Sequence, residues 1–349
     1  MPVPLKADFA WCSKFFRVSK FSTLFHLEFT SFMPKLSVII PCYFNEENIP
    51  VTAQTLIQNE AHFESDVEFE YVLVDDGSKD KTFQAILAFR AQYPHKVKAL
   101  KLAANVGSHS AILAGLHHAT GDVCVILAAD LQDPPELIPE MMTHWKQGVK
   151  LVLANRTDRE ESFGQRFFAT TFHKLIKRLA LKNVPDGGFD LALFDAALKD
   201  EIVRMSEKNT HILYLLVWLG YEYVNIPYTR RKRDIGVSRW TLAKKVKLLV
   251  DSFIAFSFFP IRAISVIGLV LGLGAFGYGG FVLLARFFGW IPYVQGWSSL
   301  MVVFMLVSAF QMIALGIIGE YVWRALDASR ARPNFIIETI LDNTSEQQK

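Results

Sequence analysis

Short apolar runs and longer mixed segments alternate along the chain from residue 36 to residue 154. The apolar runs are rich in β-branched side chains and are followed by polar residues, as in strands buried on both faces of a parallel sheet. The pattern predicts strands at Leu36–Pro41, Tyr71–Val74, Val97–Leu102, Val123–Leu127 and Leu151–Ala154, and helices at Glu46–Asn59, Thr82–Gln92, Ser108–Ala119 and Pro135–Gln147. This alternation predicts an α/β fold in which helices cover both faces of a mostly parallel sheet.

The last third of the chain has long apolar stretches in place of short ones. Apolar residues recur at helical spacing over Leu242–Phe259, opposite a basic face, which predicts a helix lying in a membrane interface. A helix packed on a soluble domain has the same spacing and stays open as an alternative. Ile264–Phe288 and Leu300–Ile318 then carry Arg286 as their one charged residue. Each has about the length of the roughly 20 residues that cross a bilayer, so we predict two transmembrane helices.

The charges around these two helices predict their orientation. Arg262 precedes them and Arg324, Arg330 and Arg332 follow them, whereas the link Gly289–Trp297 is uncharged. Positive charge on one side predicts a multi-pass protein of the inner membrane, with the preceding domain and both termini in the cytoplasm. Glycines in the first helix allow close contact within the helix pair or between subunits, and we expect a homo-oligomer such as a tetramer.

Composition argues against some classes of function. The net charge of +3 is too small for a dedicated nucleic-acid-binding protein. The three cysteines lack metal-ligand spacing, which suits a reducing compartment without disulfides. Residues 1–33 are aromatic and basic and lack the continuous apolar centre of a secretory signal. A weak membrane-surface helix is one interpretation of them, and we favour a poorly ordered N-terminal arm.

Polar side chains follow all five predicted strands. In open α/β sheets ligands bind beyond the carboxyl ends of the strands, so these side chains share one edge of the sheet. They are Tyr43 and Glu46 after the first strand, Asp75 and Asp76 after the second, Asn105 after the third, Asp130 and Gln132 after the fourth, and Arg156 and Arg159 after the fifth. The sequence has no glycine-rich dinucleotide or phosphate loop, so acidic side chains and a metal would have to hold a nucleotide.

The fourth strand leads into the residues with the most specific chemistry. Asp130 and Gln132 are separated by one residue, and alternate residues of an extended chain point the same way. Their oxygens could therefore converge on a hard cation such as Mg²⁺ or Mn²⁺. Asp133 is predicted to cap the helix that follows, with proline in its first turn and Glu136 at its third position.

A basic segment precedes the membrane region. Arg230–Trp240 carries five cations around Gly236 and Ser238. A solvated basic loop beside a membrane explains the charge but not the spacing of the glycine and the serine. Arginine pairs with phosphate oxygens through two hydrogen bonds and serine adds a hydroxyl donor, so the segment is suited to binding phosphate.

Five motifs together resemble those of glycosyltransferase family 2. They are Ser37–Pro41, Val74–Ser78, Asn105–Gly107, Ala111–Gly115 and Ala129–Glu136. Within this family the chain resembles the polyprenyl-phosphate glycosyltransferases, the group of dolichyl-phosphate mannose synthase and bactoprenol glucosyltransferase, from about Leu36 to Arg332. The resemblance implies a Rossmann-like GT-A catalytic domain at residues 34–235, interfacial helices at 236–262, a transmembrane hairpin at 263–325 and a cytoplasmic tail at 326–349.

The resemblance also implies roles for individual residues. It assigns nucleotide binding to Pro41, Tyr43, Glu46 and Asp76, metal binding to Asp130 and Gln132, and acceptor-phosphate binding to Arg233, Ser238 and Arg239. We expect catalysis to depend on Asp130 through its metal, and on Arg156 and Arg159 because two anions must be held close together against their repulsion. The implied reaction is inverting transfer of a sugar from a nucleotide-diphosphate sugar, with UDP as the expected nucleotide, to an undecaprenyl-type phosphate at the cytoplasmic membrane face.

The chain departs from the family pattern at three places. Ala128 stands where the Asp-x-Asp-x-Gln metal motif has its first acid, and Phe44 is inserted between Tyr43 and Asn45. Pro185–Asp190 stands where many members carry Gly-Asp-Phe-Arg. Either Asp186 or Asp190 could replace the missing acid.

Two competing functions remain open. A processive polysaccharide synthase of the same family normally carries Gln-x-x-Arg-Trp and a channel of more helices, whereas Arg239-Trp240 lacks that glutamine. A catalytically inactive, membrane-anchored binding protein is the other alternative, and Ala128 is the observation that favours it.

Overall fold

The computed structural model describes residues 33–63, 67–158, 177, 181, 183–185, 188–205, 210–231, 250–251, 254–289 and 296–342. The predicted N-terminal arm, apart from Met33, lies outside these ranges, and so does most of the predicted interfacial helix. Four of the predicted site residues also lie outside them, namely Arg159, Arg233, Ser238 and Arg239.

Eight strands form one sheet in the order β7-β5-β6-β4-β1-β2-β3-β8. They are β1 Lys35–Cys42, β2 Glu68–Asp75, β3 Val97–Leu102, β4 Val123–Ile126, β5 Leu151–Asp158, β6 Phe189–Asp195, β7 Tyr223–Thr229 and β8 Ile337–Leu341. Six strands run in one direction, and β6 and β8 run against them. The predicted α/β fold with a mostly parallel sheet is confirmed, and all five predicted strands are present.

Among the described residues, six helices belong to the sheet domain and two long helices follow them. They are α1 Asn48–Asn59, α2 Thr82–Gln92, α3 Ser108–His118, α4 Ile138–Lys146, α5 Ala196–Arg204, α6 Ile212–Trp218, α7 Phe259–Phe287 and α8 Trp297–Ser329. Short 3₁₀ turns follow α1 at Glu60–His62 and precede α4 at Pro135–Leu137.

The core lies in two layers, one on each face of the sheet. Alternate residues of a strand point to opposite faces, so Ile39 of β1 packs with the α3 side, whereas Val38 and Ile40 pack with α1 on the other side. Gly115 lets α3 approach the sheet closely, because a Cβ there would lie 2.6 Å from Cγ2 of Ile39. These contacts fix the position of α1 and α3, and of the loops that lead into them, relative to the carboxyl edge of the sheet.

Residues 337–341, which the sequence analysis grouped with a cytoplasmic tail, form the last strand of the sheet. β8 pairs antiparallel with β3 after the chain has passed through α7 and α8. Ile340 lies opposite Leu100 and packs on the core, and Lys101 forms an ion pair of 2.9 Å with Glu338. Both ends of the α7–α8 hairpin are therefore attached to the sheet domain.

α7 and α8 are both long and apolar enough to cross a membrane. Their apolar segments Phe259–Val282 and Val302–Ser329 have mean hydropathies of 1.9 and 2.3. The most apolar stretch of each is 0% and 6% buried, respectively. A core helix of a soluble protein would bury such a surface, so lipid is the natural solvent for these side chains.

The base of the hairpin is connected to the segment that leads into it. Arg324 of α8 pairs with Asp251 at 2.6 Å, and the Tyr321 hydroxyl donates a hydrogen bond of 3.4 Å to the Ser257 carbonyl. Phe256 packs edge-on against Tyr214 of α6, with ring centroids 6.3 Å apart. The juxtamembrane segment thus contacts both the hairpin and the sheet domain.

We predict that Ile340→Ala lowers the free energy of unfolding of the sheet domain by about 1–2 kcal/mol, because it removes half-buried apolar surface from β8. Glu338→Gln on the same strand alters an exposed ion pair and should cost less than about 0.5 kcal/mol. Thermal unfolding of the detergent-solubilised variants measures the difference. Equal effects of the two substitutions would show that β8 adds no core packing.

Candidate active site

The loop after β1 is held in an unusual backbone conformation. Phe44 has φ of +54°, in the left-handed region that non-glycine residues rarely adopt. Three backbone N–H groups fix the loop: Tyr43 donates to Asn45 Oδ1 at 2.7 Å, Phe44 to Ser78 Oγ at 3.0 Å, and Asn45 to Thr82 Oγ1 at 2.8 Å. The extra residue of this motif is therefore accommodated by a turn that is tied to the loop after β2.

The residues predicted to bind nucleotide surround this turn. Pro41 lies near the end of β1, and the half-buried Tyr43 meets Phe44 edge-on with ring centroids 4.6 Å apart. Glu46 precedes α1, which begins at Asn48, and its carboxylate accepts a hydrogen bond of 2.8 Å from the Lys81 N–H. These positions are compatible with a nucleotide site, and their role in binding stays a prediction.

Asp76 connects the loops after β2 and β3. Its carboxylate is buried and accepts hydrogen bonds from the backbone N–H groups of Val106, at 2.8 Å, and Gly107, at 2.9 Å. Burial raises the pKa of Asp76, and these hydrogen bonds only partly oppose the effect. Gly77 has φ of +65°, and a Cβ there would lie 2.6 Å from the Ala104 carbonyl carbon, which explains the glycine of this motif. Asp76 thus has a structural function in addition to its predicted role.

Asp130 and Gln132 lie on a tight turn and not on an extended chain, so that expectation was wrong. Leu131 between them has φ of +52°, and its N–H donates to the Ala128 carbonyl at 3.3 Å. The Gln132 N–H also donates to Asp130 Oδ1 at 3.3 Å. β4 has already ended at Ile126, so the turn and not the strand places the Asp130 carboxylate against the backbone of Gln132.

The chemistry of Asp130 and Gln132 suits a cation that arrives with a substrate. Within the described ranges no three histidine, cysteine or acidic side chains are grouped to hold a metal. One carboxylate and one amide oxygen fit Mg²⁺ or Mn²⁺ when substrate phosphates and water complete the coordination. Asp190, one of the two candidates to replace the acid absent at Ala128, is instead engaged by two arginines. Asp186 lies outside the described residues.

Asp133 is not the helix cap that the sequence predicts. The 3₁₀ turn that leads into α4 begins after Pro134, which has no side-chain acceptor, and Asp133 points inward with 1% of its side chain exposed. It accepts a hydrogen bond from the Tyr228 hydroxyl and lies 3.5 Å from Nε of Arg230. Burial and the nearby charge of Asp190 raise the pKa of Asp133, whereas Arg230 and Tyr228 oppose the shift.

Two arginines share the carboxylate of Asp190. Arg156 Nη2 lies 2.6 Å from Asp190 Oδ2, and Arg230 Nη1 lies 3.5 Å from the same oxygen. Burial alone would lower the pKa of Arg230, but the carboxylates of Asp190, Asp133 and Asp130 raise it. The sequence singled out Arg156 and the basic segment, but Tyr228 was missed because β7 was not predicted.

The basic segment begins beside the Asp130–Gln132 turn. The Arg231 N–H donates to the Gln132 carbonyl at 3.0 Å, and Gln132 Nε2 donates to the Arg231 carbonyl at 3.4 Å. Arg231 also pairs with Glu136 at 3.2 Å. These contacts cross the carboxyl edge of the sheet over β5 and β6, since β7 and β4 are not neighbours.

Comparison with known proteins identifies the class. Residues 37–204 match the model of Glycosyl transferase family 2. The chain is 35% identical over 303 residues to the uncharacterized glycosyltransferase YkcC of Bacillus subtilis (strain 168), covering 86% of this chain and 93% of that protein. It is 33% identical to the prophage bactoprenol glucosyl transferase homolog of Escherichia coli (strain K12), covering 88% and 99%.

A third relative is the undecaprenyl-phosphate 4-deoxy-4-formamido-L-arabinose transferase of Photorhabdus laumondii, which is 29% identical over 90% of this chain and 97% of its own length. The chain belongs to glycosyltransferase family 2. It is therefore a glycosyltransferase with a GT-A catalytic domain, as the sequence motifs indicated, followed by two helices apolar enough for a membrane.

We predict that Leu131→Gly lowers glycosyl transfer several-fold while the free energy of unfolding changes by less than about 1 kcal/mol. Relief of left-handed strain offsets the loss of the side chain, but the turn no longer fixes Asp130 relative to Gln132. Ala331→Gly is the matched control, because Ala331 has φ of +47° beyond the end of α8. Turnover and thermal unfolding of both variants test this, and equal turnover would contradict it.

Proposed function

We propose that the protein transfers a sugar from a UDP-sugar to a polyisoprenyl phosphate of the undecaprenyl type, with inversion, at the cytoplasmic face of the membrane. The pairing of Arg231 with Gln132 carries this proposal, because it joins the basic segment to the predicted donor site. The relatives named as bactoprenol and undecaprenyl-phosphate transferases support the acceptor, since the chain spans 97–99% of their lengths.

The donor would bind along the carboxyl edge of the sheet. Pro41, Tyr43, Glu46 and Asp76 would contact the nucleotide, and the diphosphate would extend towards the end of β4. A Mg²⁺ or Mn²⁺ held by Asp130 and Gln132 would neutralise charge on the leaving diphosphate. Asp130 is the carboxylate that the described part of the chain offers it, so such a cation would depend more on substrate oxygens than on these residues for its coordination.

The acceptor needs no general base. A phosphate monoester has a second pKa near 6, so it is largely dianionic at pH 7. Its oxygen attacks the anomeric carbon, the bond from that carbon to the diphosphate oxygen breaks, and the nucleoside diphosphate leaves with the bonding electrons. In-line attack inverts the anomeric centre. The protein must instead hold two anions close together, which Arg156, Arg159 and the basic segment around Arg233 would do.

The hairpin would keep this chemistry at the membrane surface. The attachment of α8 to Asp251 and Ser257 supports an arrangement in which the acceptor tail stays in the bilayer while its phosphate reaches the sheet edge. Because β8 joins the sheet after the hairpin, both ends of the hairpin would lie on the catalytic side. The positive charges at Arg262 and beyond α8 support a cytoplasmic location of that side. Glycines of α7 would serve contacts in a homo-oligomer.

We predict that Asp130→Ala reduces turnover at least about 100-fold in membranes supplied with UDP-sugar, Mg²⁺ and undecaprenyl phosphate, because it removes a carboxylate from the proposed cation site. Asp200→Ala changes an exposed carboxylate on α5 and should leave turnover unchanged. Transfer of radiolabelled sugar from the donor to the lipid measures the turnover of both variants. Near-normal turnover of Asp130→Ala would remove the metal assignment, and no turnover of the parent protein with any nucleotide sugar would favour an inactive binding protein.

We predict that Arg233→Ala raises KM for the lipid phosphate at least about tenfold, because a phosphate loses a charged hydrogen-bond partner, and leaves KM for the UDP-sugar within about twofold. Arg204→Ala, on the exposed face of α5, is the control. Initial rates at varied concentrations of each substrate separate the two constants. A rise in the donor KM alone would assign Arg233 to the other substrate.

A further inference from the structure

The Arg156–Arg230 pair has the geometry of an anion site that a protein carboxylate already fills. Both guanidiniums lie against one oxygen of Asp190, at 2.6 Å and 3.5 Å. Arginine nitrogens converging on a single oxygen is the arrangement that these side chains adopt around a phosphoryl group. The reaction proposed above brings phosphoryl groups to this edge of the sheet.

The Arg230 side chain and the Arg156 backbone are also held in place without Asp190. Arg230 lies beside Asp133, whose side chain is 1% exposed and is bound by the Tyr228 hydroxyl. Arg156 lies on β5, and its backbone N–H donates to the Gly188 carbonyl at 3.1 Å. Loss of the Asp190 contact therefore leaves Arg230 with a buried partner and leaves the backbone of Arg156 fixed.

The carboxylates of Asp190 and Asp133 differ in whether they can turn away from the arginines into water. Asp190 lies at the start of β6, at the carboxyl edge, and its side chain is 33% exposed, so water can solvate it when it turns away. Asp133 cannot turn to water. The cluster is also incompletely hydrogen-bonded, because Asp133 Oδ2 and Nε of Arg156 and of Arg230 are buried without a hydrogen-bond partner. Buried polar atoms of this kind are costly and indicate that the cluster rearranges when a ligand arrives.

We propose that Arg156 and Arg230 together bind one phosphoryl group of a substrate, and that Asp190 occupies the same place in the ligand-free protein and is displaced by it. This inference rests on the proposed function and adds Arg230 and Asp190 to it. In the ligand-free cluster the carboxylates in ion-pair contact with the two guanidiniums are those of Asp133 and Asp190. When the phosphoryl group takes the place of Asp190, an anion again faces both guanidiniums and the released carboxylate is hydrated.

The phosphoryl group belongs either to the donor diphosphate or to the acceptor phosphate, and binding experiments distinguish these sources. The full chain in detergent is titrated calorimetrically with UDP and Mg²⁺, and separately with farnesyl phosphate. Asp190→Asn removes the competing charge and should tighten one of the two ligands about fivefold, the size expected for a partly exposed ion pair. Arg230→Gln should weaken the same ligand at least about tenfold.

Glu201→Gln is the control for the change in charge, because Glu201 pairs with Arg204 on α5 away from this edge. It should leave both affinities unchanged. Unchanged or weaker binding of both ligands to Asp190→Asn overturns the proposal, and so does unchanged binding to Arg230→Gln. Neither measurement requires sugar transfer. If the protein turns over normally but the two variants do not show the expected changes in affinity, this inference alone is wrong. If the affinities change as expected but the protein transfers no sugar, only the proposed reaction is wrong.

Discussion

The two hydrogen bonds between Gln132 and Arg231 are the contact on which the site depends. They join the ends of β4 and β7, which are separated in the sheet by β5 and β6. One partner lies on the turn that carries Asp130, and the other begins the basic segment. A contact between non-neighbouring strands cannot be replaced by the sheet ladder, so the distance between the proposed donor and acceptor halves of the site would depend on it.

Electrostatics explains why this connection is built from charged residues. In the proposed reaction two negatively charged substrates approach each other, and the cations that would attract them repel each other in the empty protein. Asp133 and Asp190 offset this repulsion at the Arg156–Arg230 pair. A buried ion pair adds little stability on balance, because desolvation opposes its Coulombic attraction. Its value here is that the guanidiniums are already oriented before the substrates bind.

Local patterns predicted five of the six strands that run in one direction, because each of the five is an apolar run that is buried on both faces. The same reasoning missed β6, and it missed β7 and β8, whose residues are mostly half-buried or exposed. It also assigned Asp133 to a helix cap, since a cap and a buried ion pair need the same residue type. The two alternatives differ only in Tyr228 and Arg230, which lie 95 and more residues further along the chain. The sequence motifs located the candidate site at the carboxyl edge of the sheet. Which charged residues contact each other there depends on strand pairing between distant parts of the chain, which the motifs do not show.

The late pairing of β8 with β3 has a consequence for biosynthesis. β3 is made early in translation, but β8, the strand that covers its edge, is made only after both apolar helices. Until then β3 presents an open row of peptide groups, which is the kind of surface that recruits other chains. The sheet therefore closes at this edge only after the whole α7–α8 hairpin has been synthesised. A nascent chain that stalls before β8 would be exposed to misassembly at β3.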